Sequence, residues 1–151
     1  MIIEEIQHIT DEVVEAFDRL IPQLTLYSPP PSRQQLEAMI RSGCTVLLAV
    51  RPEAGERYVG VLALVLASVP TGVRAWVEDV VVDETLRGRG YGEALMRAAM
   101  TRAQQAGAKV LELTSNPRRE AANRLYHRLG FVQPQTNFYR FTFPVINKEK
   151  Q

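Results

Sequence analysis

Residues 80 to 92 read Val80-Val81-Val82-Asp83-Glu84-Thr85-Leu86-Arg87-Gly88-Arg89-Gly90-Tyr91-Gly92. An apolar run ends, a polar turn follows, and glycines open a helical pattern. The first amides of a helix have no intrahelical acceptor, and with the helix dipole they attract anions. Glycines at 88, 90 and 92 keep side chains off that backbone. Arg87 and Arg89 add charged donors suited to phosphate. The segment is a candidate phosphate cradle of an uncommon kind. Glu93 stands where the dinucleotide fingerprint needs its third glycine. No Gly-Lys-Ser/Thr tripeptide of a Walker loop exists, and the downstream aspartate motifs of a kinase are missing.

Other side chains could do chemistry nearby. Glu78 and Asp79 precede the apolar run. Strict alternation sends Glu78 to one face with Trp76 and Val80, and Asp79 to the other with Val77 and Val81. Either acid could act as a base or simply pair with an arginine. Further on lies Leu125-Tyr126-His127-Arg128-Leu129-Gly130-Phe131. Tyr126 follows Ala122 by one helical turn, near a face with Leu125 and Leu129; alone it reads as a core tyrosine whose hydroxyl finds a partner. His127 points about 100° away, toward solvent. Cys44 is the single cysteine, placed to begin a strand after Gly43. It reads as a small buried side chain, with no histidine to activate it.

The elements that must position these groups follow from period and punctuation. Ile2–Ile6 is a short strand. Thr10 or Asp11 caps a helix to about Leu26, which Pro22 kinks or divides. Ser32 caps a second helix, Arg33–Arg41, stopped by Gly43. Cys44–Val50, Tyr58–Val69 and Val73–Val82 are strands joined by short turns, an antiparallel meander. Tyr91–Ala106 is a helix with Leu95, Met96, Ala99, Ala103 and Ala106 inward. Lys109–Thr114 is a strand, and the Val77–Leu113 unit is a parallel crossover. Asn116-Pro117 opens a helix to Leu129. Phe131–Val132 and Asn137–Phe143 are the last strands. The fold class is α+β, an α/β mixed sheet of about seven strands flanked by about four helices. One domain spans residues 1–143, and 144–151 are a polar tail.

Composition agrees. The chain has 151 residues, 46% apolar and 23% charged, with net charge +1. Disorder is excluded as the main state. The longest apolar run, Val59–Ala67, is far short of the ~20 residues a membrane span needs, and the first residues lack a signal-peptide pattern. A cytoplasmic location without membrane partners is expected. One cysteine and two histidines argue against a disulfide or a metal site. The small net charge hides an asymmetry. Residues 87–128 carry nine bases against three acids, and the first eighteen residues carry six acids and no base. The basic block suits an anionic ligand, and the acidic remainder a cationic one. Solvated helix faces would give the same runs. A nucleic-acid partner is not expected, since no known module and no overall basic charge are present.

Val-Val-Val-Asp followed by Arg87-x-x-Gly90-x-Gly92, then Leu125-Tyr126-x-x-x-Gly130-Phe131, resembles the GNAT superfamily of N-acetyltransferases across roughly residues 2–143. The resemblance implies a sheet splayed near Val73–Val82 with acetyl-CoA as cosubstrate in the splay. The backbone of Val80, Val81 and Val82 would pair with the pantetheine arm. The amides of Arg87, Gly88, Arg89, Gly90, Tyr91 and Gly92 would hold the pyrophosphate. Many members carry an asparagine seven residues before the tyrosine; here that position is Arg119, with Asn116 and Asn123 nearby as other candidates for the coenzyme contact. Asn116 serves equally as a plain helix cap. The resemblance makes Tyr126 the acid for the departing thiolate and Glu78 the base for the amine, unless a bulge in the strand changes which acid faces the cleft. Val77–Val82 also looks like the matching strand of glucosamine-6-phosphate N-acetyltransferases, whose acidic pair lies at the acceptor site; this brings in Asp79. Trp76 and Tyr27 would line the acceptor pocket, Tyr27 in the family's mobile acceptor loop, though both could equally be core. The implied reaction is direct acetyl transfer in a ternary complex to a small cationic primary amine. Acetylation of a protein lysine or N-terminus, or a non-catalytic acyl-CoA sensor, are the alternatives. A homodimer is compatible with the family.

Overall fold

The structure, a computed structural model, describes residues 1–144. The chain forms two compact units, Met1–Thr114 and Ser115–Gln151. Apart from Pro144, the expected polar tail lies outside the described residues.

In the first unit, β1 (Ile2–Glu5), α1 (Asp11–Leu24) and α2 (Arg33–Arg41) lead into β2 (Thr45–Arg51), β3 (Gly60–Val69) and β4 (Gly72–Val82). Then come α3 (Tyr91–Gln105) and β5 (Leu111–Glu112). The sheet order is β1-β2-β3-β4-β5. The first four strands pair antiparallel and β4 pairs β5 parallel, so the sheet is mixed as expected.

Capping sets the helix starts. Thr10 accepts from the Val13 amide at the head of α1, where Asp11 and Glu12 face the positive dipole end. Ser32 and Gln35 form a reciprocal capping box on α2. Helix α1 runs unbroken through Pro22 and ends at Leu24, earlier than Leu26. The proline falls in the last turn, where one lost bond is least disruptive.

The two faces of the sheet are filled by different helices. Leu47, Ala49, Val61 and Val81 share one buried cluster with Val13, Phe17, Leu20 and Leu36 of α1 and α2. On the opposite face, a Cβ at Gly60 would lie 3.2 Å from Leu95 of α3 and 3.0 Å from Val50. Leu95, Met96, Ala99 and Ala103 are buried as the helical period predicts. Each fully buried leucine contributes about 1.5–3 kcal/mol relative to exposure. Cys44 is a correction: it is exposed in the turn before β2 and belongs to no core.

The second unit holds α4 (Glu120–Arg128). Asn116-Pro117 does not open it. Oδ1 of Asn116 accepts from the Arg118 amide at 2.9 Å, and its carbonyl accepts from the Arg119 amide at 2.9 Å. That local turn consumes the asparagine, so the helix starts at Glu120. Among the described residues, Phe131–Val132 and Asn137–Phe143 form no strand, and Lys109–Thr114 contributes only Leu111–Glu112. Among the described residues the sheet therefore has five strands, not about seven. Alternation such as Tyr139, Phe141, Phe143 defines a face, but a strand exists only when a neighbour completes its backbone hydrogen bonds.

Candidate active site

The centre of the first unit is an irregularity in β4. Val81 pairs with Val61 and Glu78 with Ala63, so Leu62 faces both Asp79 and Val80. This is a β-bulge with one extra residue on β4. Asp79 takes φ 51, the one positive value among the described non-glycine residues. Aspartate tolerates this region better than most side chains. The conformation still costs about 1–3 kcal/mol, and such strain clusters at functional positions.

The bulge corrects the expected alternation. Glu78 keeps its face, cross-strand from Ala63, but Val81, not Val80, is next on that face and enters the α1–α2 core. Glu78 and Asp79 are both exposed at the kink, and Trp76 is half-buried, paired with Val65.

The same strand opens beyond this point. Among the described residues, β4 pairs with β5 only at Ala75–Leu111 and Trp76–Glu112. Among the described residues, Val77 to Val82 have no β5 partner. The Asp83 amide donates to the Val59 carbonyl, in the segment just before β3, at 2.8 Å. By alternation the Val82 peptide faces the other side, and Nε of Arg87 donates to its carbonyl at 3.3 Å.

After β4, a single 3-10 turn, Glu84–Leu86, carries the chain to α3. Gly88 and Gly90 have φ 79 and 87. Gly90 is the N-cap of α3 and offers no side-chain cap. The amides of Tyr91 and Gly92 thus open the helix without the usual oxygen beside them. A Cβ at Gly90 would meet nothing closer than Met1 at 4.0 Å, so the glycine answers to the backbone angle and not to crowding. Arg87 and Arg89 are exposed. Tyr91 is buried, 9% exposed, with its ring turned into the protein.

Asp83 is a feature the reading of the sequence passed over. It is 4% exposed. Its carboxylate accepts from Nη1 of Arg19 at 2.8 Å, and from Oγ1 and the amide of Thr85 at 2.7 and 3.1 Å. Arg57 lies 3.7 Å away. An acid closing a valine run hints at a cap; its partner on α1, 64 residues earlier, leaves no trace in the pattern. The Thr85 hydroxyl bond holds the Asp83 carboxyl below its usual range, with burial opposing and Arg19 and Arg57 assisting. A depressed folded pKa gives stability that is full above the unfolded value near ~3.9 and is lost as pH falls through the folded one. The urea midpoint of the wild type should exceed that of Asp83→Asn by an amount worth about 1–3 kcal/mol at neutral pH. That gap should close below about pH 4. A gap unchanged at acid pH would show that the charge of Asp83 is not what matters.

The second unit carries the other candidates. Nδ2 of Asn123 donates to the carbonyls of Asn116 at 3.0 Å and Pro117 at 3.4 Å. Both asparagines therefore brace the turn before α4. Arg119 is the N-cap residue of α4. Tyr126 is half-buried, its ring edge-on to Phe131 with centroids 6.0 Å apart. Burial pushes its phenol above the usual value, and the charge of Arg119 pulls the other way. The phenol is a proton donor at neutral pH. His127 is exposed, as its helical position predicts. Tyr27 is 99% exposed, so its ring packs in no core and lines no closed pocket.

Among the described residues, no group of His, Cys, Asp or Glu could hold a metal, and no helix is long and apolar enough to cross a membrane.

Comparison with known proteins bears on this arrangement. The sequence pattern described as the acetyltransferase (GNAT) family matches residues 9–131. An uncharacterized N-acetyltransferase, YhdJ, of Bacillus subtilis (strain 168) is 31% identical over 113 residues, 74% of this chain and 77% of its own. The aminoalkylphosphonate N-acetyltransferase of Salmonella typhimurium is 38% identical over 66 residues, 44% of this chain and 41% of its own. The fold is also that of the crystal structure of glucosamine-6-phosphate N-acetyltransferase from Arabidopsis thaliana. The TM-score is 0.74 at 16% identity, over 93% of this chain and 99% of that one. At that identity the likeness reaches the fold and not the sugar. A mixed sheet opening beside β4, with a glycine-started helix after it, thus sits inside a sequence match that takes in most of the chain: the protein belongs to the GNAT family of acetyltransferases and is an acyltransferase.

Proposed function

We propose that residues 1–143 act as one acetyltransferase domain that moves an acetyl group from acetyl-CoA to a small cationic primary amine, by direct attack in a ternary complex. The family generally uses acetyl-CoA as its cosubstrate. The observation that carries the reading is the continuous backbone from the unpaired part of β4 into the uncapped start of α3. An extended pantetheine arm fits beside Val80, Val81 and Val82 as an added strand. A diphosphate fits the amides of Arg87 to Gly92, with Arg87 and Arg89 adding charge. Arg119, Asn116 and Asn123 are the candidates for a further coenzyme contact.

Acetyl-CoA supplies the acetyl group as an activated thioester. The amine must be neutral to attack, although free alkyl amines hold a proton up to about pH 10. Glu78 takes that proton, directly or through a water. An amide of β4 near Val80 donates to the carbonyl oxygen as negative charge develops there. As nitrogen bonds to the acetyl carbon and the carbon–sulfur bond breaks, Tyr126 gives its phenolic proton to sulfur, and the second proton of the amine nitrogen leaves through solvent and restores the phenol. Asp79, Trp76 and Tyr27 contact the acceptor, Tyr27 from the segment between α1 and α2. The two exposed carboxylates at the kink favour a cationic acceptor. The Salmonella relative is named for an aminoalkylphosphonate, also an amine. Acetylation of a protein amine is the second reading. The exposed Glu78–Asp79 pair would serve a lysine as well as a small amine.

A panel of small amines and lysine peptides, assayed with acetyl-CoA, tests the reading. Transfer to a small diamine or amino sugar, with Glu78→Gln about tenfold slower below pH 8 and nearer to wild type above pH 9, is the expected result. A base matters most where the amine is protonated. Transfer to peptides alone would favour the second reading, and an equal deficit at every pH would remove Glu78 as the base.

A further inference from the structure

Asp83 does more than cap a turn. It sits at the joint where β4 ends and the loop to α3 begins. Its amide donates to the Val59 carbonyl, in the segment just before β3. Its carbonyl accepts from the Leu86 amide at 2.9 Å and closes the 3-10 turn. Its carboxylate is shared between Thr85, inside the turn, and Arg19, on α1. Arg19 is held in turn by Glu15 at 2.9 Å and by the Tyr58 carbonyl at 2.5 Å. One helical turn further on, Oε1 of Gln23 accepts from the Glu84 amide at 2.8 Å, while its Nε2 donates to the Arg19 carbonyl at 3.2 Å. Two consecutive turns of α1 thus grip two consecutive residues at the root of the loop.

We infer that Arg19, Gln23 and Asp83 are positioning residues for the cosubstrate: by clamping the Asp83–Glu84 root to α1 they set the geometry of the Arg87–Gly92 backbone. A three-residue turn followed by two left-handed glycines has little means of holding itself. The clamp supplies what the loop's own sequence lacks. Asp83 is not a catalytic base, because it is buried and its oxygens already accept from Arg19 and Thr85. Nor is a cap alone enough to explain it. An asparagine could cap Thr85 equally well, but only an acid forms the ion pair with Arg19.

The inference rests on the proposed function, and the experiment separates the two. Coenzyme A binding by calorimetry and steady-state kinetics are measured for the wild type and for Asp83→Asn, Arg19→Met, Arg19→Lys and Gln23→Ala. Folding is checked by thermal melt. The expected result is a roughly tenfold rise in Kd for coenzyme A and in KM for acetyl-CoA in Asp83→Asn and Arg19→Met. In both, kcat at saturation and KM for the amine should stay within about twofold. Their double variant should be no worse than either single one, since both break the same link. Arg19→Lys should recover part of the loss, and Gln23→Ala should raise Kd about threefold. Folded variants with wild-type Kd would overturn the clamp and leave the proposed function standing. If Asp83→Asn and Arg19→Met fail to fold, Gln23→Ala decides. It removes one half-buried side chain, and an unchanged Kd there overturns the inference. A wild-type protein that binds no coenzyme A overturns both.

Discussion

Tyr126→Phe should lower kcat about 100-fold while leaving KM for acetyl-CoA within about twofold. The phenylalanine keeps the edge contact with Phe131 and removes only the oxygen. The loss belongs at the low end of the ~10²–10⁴ range for acid catalysis. Burial makes the phenol a weaker acid than free tyrosine, while the thiolate it serves is the base of a thiol with pKa near ~8.5. Proton transfer is therefore uphill, and Arg119 offsets part of this by favouring the phenolate. The sign of the pH dependence follows. A raised pKa keeps the acid form present through neutral pH and up past about 10. The wild-type rate should rise with pH as the amine loses its proton, and should fall again only beyond that point. In Tyr126→Phe the alkaline fall should vanish, leaving the rise intact. A folded variant with wild-type kcat would remove Tyr126 from the chemistry.

Local signals carried much of the fold, and contacts distant in sequence carried the rest. The four helices, the meander and the buried faces of α1 and α3 were legible because period, caps and glycine stops act within a few residues. Ser32 with Gln35 is such a signal, and so is Gly107 after α3. The missing strands were not legible for the converse reason. Asn137–Phe143 alternates as a strand should, but pairing needs an edge that only tertiary structure provides. Asn116 failed differently: its side chain satisfied an amide two residues on before a helix could use it. At the site, the glycine loop was visible because Gly88 and Gly90 must be glycine on backbone grounds alone. The kink at Asp79 was not, because an aspartate in a left-handed conformation looks in sequence like any polar residue on a strand. A straight β4 would put Glu78 and Asp79 on opposite faces, and the bulge exposes both at one bend. The Arg19–Asp83 link was invisible for the simplest reason, since an ion pair 64 residues apart has no period.

Gly90→Val should abolish most coenzyme A binding while the protein remains folded. At φ 87 a β-branched residue carries a strain of about 1–3 kcal/mol. No packing is lost with it, because a Cβ there has no neighbour within less than 4.0 Å. The chain can relieve the strain by rotating the residue out of the left-handed region. Doing so turns the amides of Tyr91 and Gly92 away from a common point and leaves a branched side chain beside them. Either response works against a bound diphosphate, so Kd should rise by about 100-fold, near 2.8 kcal/mol. The melting temperature should fall only as far as the strain requires. Gly43→Val is the control. Gly43 has φ 68 and the same open surroundings, so it imposes a similar strain behind α2, far along the chain from the loop. Calorimetry should find binding intact in Gly43→Val and lost in Gly90→Val, with comparable losses of stability. Equal affinity in the two variants would mean that the start of α3 does not hold the diphosphate.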